Sequence, residues 1–191
     1  MSGPVTIQLN QDDLNRIKRD FLLMDSEVPL AQSRAINRTL TAVNAEGVVQ
    51  VRKQYNLTAT RVRKNFSIRK ATKSRLSGAW TSRGEPVGLI QFGAKPNKRG
   101  VSVKVEVTDP RKTVEHAFIR VGRNSVQHVF WREKRGGVMV GRYDIHRLAG
   151  PRIEDALAKP EAQKALQKTT DETLAKRLDA EANYILQKAK G

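Results

Sequence analysis

The chain has 191 residues, enough for one domain with a real hydrophobic core, and 38% of them are apolar while 29% are charged. It has no cysteine, which excludes disulfides and thiolate metal sites, and no segment approaches the roughly 18 apolar residues of a membrane span. Its formal net charge of +17 predicts an anionic partner, either nucleic acid or an acidic protein surface.

Apolar residues spaced three to four apart predict helices in the N-terminal third of the chain. A long helix is predicted from about residue 29 to residue 55, with Pro29 in its first turn and Gly47 as a weak point. Its apolar stripe consists of Leu30, Ile36, Leu40, Val43, Val48 and Val51. A short helix capped by Thr58 is predicted to follow it, with Val62 and Phe66 facing inward. An earlier helix is predicted around Leu14, Ile17 and Phe21.

From Ser67 onward the period of apolar residues becomes two, which predicts strands. Four valines between residues 101 and 107 alternate with polar residues and give the clearest pattern. Such strands favour an antiparallel sheet with one packed face. Two glycine-bearing basic segments, 93–100 and 132–142, are predicted as loops. The predicted strands are 67–72, 75–82, 87–92, 101–107, 116–122 and 128–134.

Helical periodicity returns after Gly150 and Pro151, and Pro160 interrupts it. One long helix is predicted from residue 161 to about residue 189, and its thin, alanine-rich stripe is typical of a helix that packs against another chain. The predicted fold class is therefore α+β, with N-terminal helices, a central antiparallel sheet and a long C-terminal helix. We expect an α+β domain over residues 1–159, with residues 160–191 packing on it or on a neighbouring subunit.

Nothing in the sequence indicates catalysis. His116, His128 and His146 are far apart and share no metal-binding spacing, and the chain lacks a P-loop, a dinucleotide fingerprint and a nucleophile elbow. We therefore predict a protein without enzymatic activity, catalytic residues, cofactor or metal.

Residues 61–75 carry seven basic side chains and no acidic one, within an acid-free window from Gly47 to Gly84. A DNA-reading helix is held in a compact three-helix core, whereas this basic pattern continues directly into a predicted strand. No predicted strand carries the paired aromatics of an RNA-stacking platform. Two interpretations stay open, an unspecific phosphate contact and a solvated basic face. The seven residues, named here the basic strip, are Arg61, Arg63, Lys64, Arg69, Lys70, Lys73 and Arg75.

Several short motifs occur in a fixed order between about residues 30 and 160. "RAINRTLTAVNAEGVVQVRKQYNL" is followed by "RVRKNFSIRKA" and then by "RGVSVKV". "AFI" at residues 117–119, "VFWR" at 129–132 and "LAGP" at 148–151 with Ile153 come next. In this order the motifs resemble the prophage minor tail protein Z family of long-tailed phages.

The resemblance implies a structural virion protein that completes the tail at its head-proximal end and is made in the host cytoplasm. Because tail tubes are six-fold, it implies a homo-oligomeric, hexameric ring. The implied neighbours are tail-tube, tail-terminator or connector proteins, and phage DNA in the channel is a further contact. No catalytic residue, cofactor or membrane contact comes with the family.

With this function, the basic strip is expected to contact phosphate or an acidic partner. Three cations of segment 93–100 are expected to act on a loop that orders on assembly, namely Lys95, Lys98 and Arg99. A predicted assembly loop comprises Arg132, Lys134, Arg135, Gly136, Gly137 and Arg142. The alternative function is that of a non-specific DNA-binding protein acting as a monomer or dimer.

Overall fold

The structure, a computed structural model, describes residues 6–8, 27–122, 125–132, 134–135, 138–139 and 145–190. The predicted helix around Leu14, Ile17 and Phe21 lies outside the described residues. The α-helices are α1 (Val28–Gln54), α2 (Ala59–Arg63), α3 (Ile153–Leu157) and α4 (Pro160–Lys190). The strands are β1 (Thr6–Gln8), β2 (Phe66–Arg69), β3 (Ala79–Ser82), β4 (Lys95–Asn97), β5 (Gly100–Val103), β6 (Lys112–Glu115), β7 (Ala117–Val121), β8 (Gln127–Arg132), β9 (Lys134–Arg135), β10 (Val138–Met139) and β11 (Ile145–Arg147).

All strand pairs of the described chain are antiparallel, in three three-stranded sheets and one hairpin. The strand orders are β1-β3-β2, β4-β5-β6 and β11-β8-β7, and β9 pairs with β10. The α+β fold class is thus confirmed, with helices before and after the sheets and a long C-terminal helix.

Helix α1 runs through the centre of the fold and α4 packs along it. The two helices are antiparallel, because Val28 and Ala31 at the start of α1 line one small cavity with Leu178 and Ile185 near the end of α4. The side of α4 that is buried consists of Ala162, Leu166, Thr170, Leu174, Leu178, Glu181 and Ile185. The predicted stripe of α1 is buried as expected, except for Leu30, which is half-buried.

Segment 87–92 is not the predicted strand. Its start pairs with residues 148–151, and the backbone then turns into a 3₁₀ helix, Leu89–Phe92. Apolar residues at 87, 89, 90 and 92 fit a period of two but also a period of three. In a 3₁₀ helix, residues three apart share a face, which lets both Leu89 and Phe92 reach the core.

Other boundaries also differ from the prediction. The strands predicted over 67–72 and 75–82 are shorter, Phe66–Arg69 and Ala79–Ser82, so that Lys70 and Arg75 lie in the connection between them. Segment 93–100 is not a continuous loop, because Lys95–Asn97 forms β4 and pairs with β5. The strand predicted over 101–107 ends at Val103. Beyond it the backbone bonds to the end of α1, with the Asn56 amide donating to Val105 and the Val107 amide donating to Gln54.

Candidate interaction surface

The basic strip follows one continuous stretch of backbone. Arg61 and Arg63 lie on α2, Lys64 follows it, and Arg69 ends β2. Lys70, Lys73 and Arg75 occupy the connection from β2 to β3. Arg61 is half-buried and the other six strip residues are exposed. The predicted passage from a short helix directly into a sheet is therefore confirmed, and it places the cations on the outside of the molecule.

The helical end of the strip is fixed by local hydrogen bonds. The Thr58 hydroxyl accepts from the Arg61 amide at 3.3 Å, which confirms the predicted N-cap. The Arg61 guanidinium donates to the Asn65 side-chain oxygen. Val62 is fully buried between these polar contacts and anchors α2 in the core. The orientation of α2 is consequently set by capping and burial together.

The other end of the strip is fastened to α1 by one asparagine. The Asn37 side chain donates to the Ala71 carbonyl at 3.0 Å and accepts from the Ala71 amide at 2.8 Å. Backbone bonds between Thr72 and Arg75, 2.8 and 3.2 Å long, close the turn that follows. The Arg75 guanidinium donates to the Lys70 carbonyl at 3.0 Å. Hydrogen bonds therefore fix the backbone that carries the cations at this end of the strip.

The positive charge of the strip is not neutralised locally. Within the described residues, no strip cation forms an ion pair with a carboxylate; the ion pairs found there join other residues. An exposed set of like charges without counter-charges produces a positive potential that attracts anionic surfaces and accelerates encounter with them. The charge of the strip is therefore complementary to that of phosphates and carboxylates.

Lys95, Lys98 and Arg99 lie on a different sheet from the strip, in the exposed hairpin that joins β4 to β5. The Asn97 side-chain oxygen closes this turn by accepting from the amides of Arg99 and Gly100 at 2.8 and 2.9 Å. Gly100 has a φ of 154°, and a β-carbon there would lie 2.1 Å from the Val114 carbonyl oxygen. The hairpin therefore holds Lys98 and Arg99 on a defined turn, and Lys95 begins β4.

The predicted assembly loop is described only in part. Arg132 ends β8, and its guanidinium carbon lies 5.8 Å from the centre of the Phe118 ring, a cation–π geometry. The segment is not a loop throughout, because Lys134 and Arg135 form β9, which pairs with β10. Gly136, Gly137 and Arg142 lie outside the described residues.

Comparison with protein-family models matches residues 10–189 to the family described as prophage minor tail protein Z (GPZ). The chain belongs to this family. The match confirms the resemblance seen in the motifs and extends it over almost the whole chain. No curated protein and no solved structure matches the chain.

A minor tail protein Z is a structural protein of the phage tail, so this chain is a structural tail component located in the virion. No helix in the described part of the tail protein has the length and hydropathy needed to cross a bilayer.

The three histidines of the tail protein lie in or beside different strands of one sheet. His116 precedes β7 with a φ of 60°, His128 lies in β8, and His146 lies in β11 with its ring 6.4 Å from that of Trp131. Among the described residues, no three His, Asp or Glu side chains are grouped as metal ligands would be.

Sequence reasoning missed two features of the tail protein. The first is a stacked aromatic pair, Phe118 and Phe130, whose ring centres lie 5.9 Å apart across β7 and β8. Each strand contributes one ring, so only the strand register could have shown the pair. The second is Glu181, which is buried on α4 beside Arg34 and Arg38 of α1. The sequence signal for this ion pair was a charged residue at a position of the apolar stripe of α4.

Proposed function

We propose that the tail protein forms a homo-oligomeric ring that completes the tail and joins the tail tube to the head connector. The family supports a place in the tail, and the observation that carries the proposal is the exposed, uncompensated basic strip on a fixed backbone. A joining protein needs a surface that recognises a second component of different chemistry. The strip provides one for an acidic ring or for phosphate.

The charge of the chain also supports an anionic neighbour. A head-to-tail interface closes into a ring when its rotation closes, and six copies at +17 each would carry about +100 formal charges. Such a ring repels itself unless acidic proteins or DNA offset the charge. The proposed neighbours are therefore acidic surfaces of tail-tube, tail-terminator or connector proteins, with DNA in the channel as a further contact.

We assign contacts between subunits to the outward side of α4. Its buried stripe packs on α1 of the same chain, while Leu186 is 48% exposed and Tyr184 is 55% exposed near its end. Residues 160–191 would thus complete the α+β domain of residues 1–159 and offer apolar contacts to the next subunit. The hairpin cations Lys95, Lys98 and Arg99 and the assembly loop are further proposed contacts.

Imaging of purified tails tests the placement. The expected result is one ring of this chain at the head-proximal end, absent from tails made without the protein. Density for the chain along the tube, or at the distal tip, would contradict the proposal.

The unpaired cations also favour a second function, non-specific DNA binding by a monomer or dimer. Phosphate-driven binding weakens linearly on a log–log plot against salt, with a slope of about 0.9 per phosphate neutralised. Tight duplex binding by the isolated monomer, together with failure to associate with tail components, would favour this function over the ring. Weak duplex binding together with association with tails would favour the ring.

A further inference from the structure

Strand β2, which carries part of the basic strip, forms the edge of its sheet. The order is β1-β3-β2, so β3 lies in the middle and β2 has a hydrogen-bonded neighbour on one side. Within the described residues, no strand pairs with its other side. An edge of this kind presents backbone groups that can pair with another chain.

The register shows which groups face outward. The Arg83 amide donates to the Asn65 carbonyl at 3.1 Å, just before β2 begins, which makes those two residues a hydrogen-bonded pair. Hydrogen-bonded and non-hydrogen-bonded pairs alternate along an antiparallel ladder. Phe66 and Ile68 therefore direct their N–H and C=O groups away from β3, and within the described residues these groups have no partner.

In the part of the chain that the structure describes, charge alone protects this edge. Proteins commonly blunt edge strands with proline, a bulge or a covering element, and β2 has neither proline nor bulge. Ile68 is 37% exposed, so the edge also offers an apolar side chain. The exposed cations Lys64, Arg69 and Lys70 flank Ile68 in the sequence. A second copy would bring the same cations to the edge and be repelled, whereas an acidic strand would be attracted.

We propose that the open edge of β2 accepts an acidic β-strand from a different virion protein. Backbone pairing would supply affinity, and the flanking cations would select acidic side chains at alternate positions. This inference rests on the proposed function, which places an acidic neighbour beside the strip, and it specifies how that neighbour binds. DNA cannot continue the ladder, because it lacks the alternating backbone N–H and C=O groups of a β-strand.

Hydrogen exchange on the intact protein tests the pairing. In the isolated chain, the amides of Phe66 and Ile68 should exchange freely, and in purified tails they should become at least about tenfold more protected. Mass spectrometry of a peptide that spans residues 65–70 reports both states. No gain of protection in tails that contain the protein would overturn the inference.

Carbodiimide cross-linking identifies the strand. The reagent joins lysine amines directly to carboxylates, so Lys64 and Lys70 in purified tails should couple to Asp or Glu of another virion protein. Coupling only to a second copy of this chain would overturn the inference. It would also be overturned if the strip lysines couple to no protein and are shielded by DNA, so that nuclease treatment exposes them.

A single substitution separates the backbone from the charge. Ile68→Pro removes an outward N–H without removing any bond to β3 or any cation, and proline is tolerated on such an edge. It should abolish incorporation into tails, whereas Ile68→Val should not. Incorporation of a folded Ile68→Pro protein would overturn the inference; if that variant does not fold, exchange on the unaltered protein decides.

The outcome is independent of ring position. Protection and cross-linking at β2 in a protein found along the tube would leave strand addition standing and overturn the head-proximal ring. A head-proximal ring without protection at β2 would support the ring and overturn strand addition.

Discussion

The indole of Trp80 packs directly against the backbone of α1 at Gly47. A β-carbon on residue 47 would lie 2.7 Å from Cζ2 and 3.0 Å from Cη2 of Trp80. The indole is fully buried, its Nε1 donates to Asn44 Oδ1 at 3.1 Å, and the Phe66 ring lies 4.7 Å away, centre to centre. Gly47 is thus a point of close contact between sheet β1-β3-β2 and the central helix, which explains a glycine inside α1.

Gly47→Ala should destabilise the protein although alanine is the better helix former. Helix propensity favours alanine by about 1 kcal/mol, but inserting a methyl group into a packed core opposes it by about 1–3 kcal/mol. We expect a net loss of free energy of unfolding, measured by urea denaturation. Val49→Ala, at an exposed position of the same helix, should change little.

A double variant tests the cause. Trp80→Phe removes the atoms that the new methyl group would meet, so Gly47→Ala should be better tolerated in that background. Equal effects in both backgrounds would show that the indole is not responsible.

Much of the fold could be predicted because apolar residues recur at helical spacing along its two long helices. The limits of α1 and α4 fall within about two residues of the prediction. The 3₁₀ helix Leu89–Phe92 could not be predicted, because its apolar spacing fits two periods and the partner backbone lies about 60 residues away.

The residues of the interaction surface could be predicted from the sequence, but the contacts that hold them in place could not. A run of cations without acids has to lie mostly in solvent, and six of the seven strip residues are exposed. The hydrogen bonds between Asn37 and Ala71 join residues 34 positions apart, so no local sequence pattern predicts them. The open edge of β2 likewise depends on which strands pair, information that β2 itself does not contain.

Asn37→Ala should loosen the strip. The variant leaves the N–H and C=O of buried Ala71 without their partner, and we expect a loss of about 1–3 kcal/mol. Hydrogen exchange should show faster exchange of the Ala71 amide, and urea denaturation should show the loss of stability. Gln50→Ala, which removes a side-chain bond to Glu46 on the same helix, is the control and should have a smaller effect. An unchanged Ala71 exchange rate would contradict the role assigned to Asn37.

Glu181 and its two arginines should respond asymmetrically to substitution. Arg34 and Arg38 lie 3.7 and 3.3 Å from the Glu181 carboxylate, which is 7% exposed, while the arginines are about half exposed. Arg34→Ala with Arg38→Ala leaves a buried charge unpaired, and with partial solvent screening we expect a loss of about 2–3 kcal/mol. Glu181→Met leaves two arginines that water can solvate, and should cost less than about 1 kcal/mol. Urea denaturation of both variants checks this, and equal losses would contradict it.

Tyr55 should make the protein sensitive to alkali. Burial raises the pKa of its hydroxyl above the ordinary value of 10.0, and the Asp155 and Glu106 carboxylates raise it further. The folded state therefore holds this proton more tightly than the unfolded state. The resulting stability is fully present below about pH 10 and is lost as pH rises through the folded-state pKa.

Between about pH 9 and pH 11, the Tyr55→Phe variant should accordingly lose less free energy of unfolding than the unaltered protein. Urea denaturation at each pH measures this loss. Tyr184→Phe is the matched control, because Tyr184 is 55% exposed whereas Tyr55 is 4% exposed. It should retain the full alkaline loss. Identical pH profiles for the two variants would show that Tyr55 does not contribute.

Reversing three cations of the strip should stop tails from joining heads while leaving the protein folded. Arg69→Glu, Lys70→Glu and Lys73→Glu change exposed side chains without ion pairs in the described structure, so the free energy of unfolding should change by no more than about 0.5 kcal/mol per site. The same changes turn attraction to an acidic or phosphate surface into repulsion. The measurement is the fraction of tails joined to heads, with circular dichroism to confirm folding.

The control reverses three exposed cations elsewhere, Arg120→Glu, Arg147→Glu and Lys159→Glu, and lowers the formal charge of +17 by the same amount. If the position of the charge matters, this variant should still support joining. Loss of joining in both variants would attribute the effect to total charge. Joining that persists with the strip reversed would mean that the strip is only a solvated basic face, because a contact surface cannot keep its partner after its charge has changed sign.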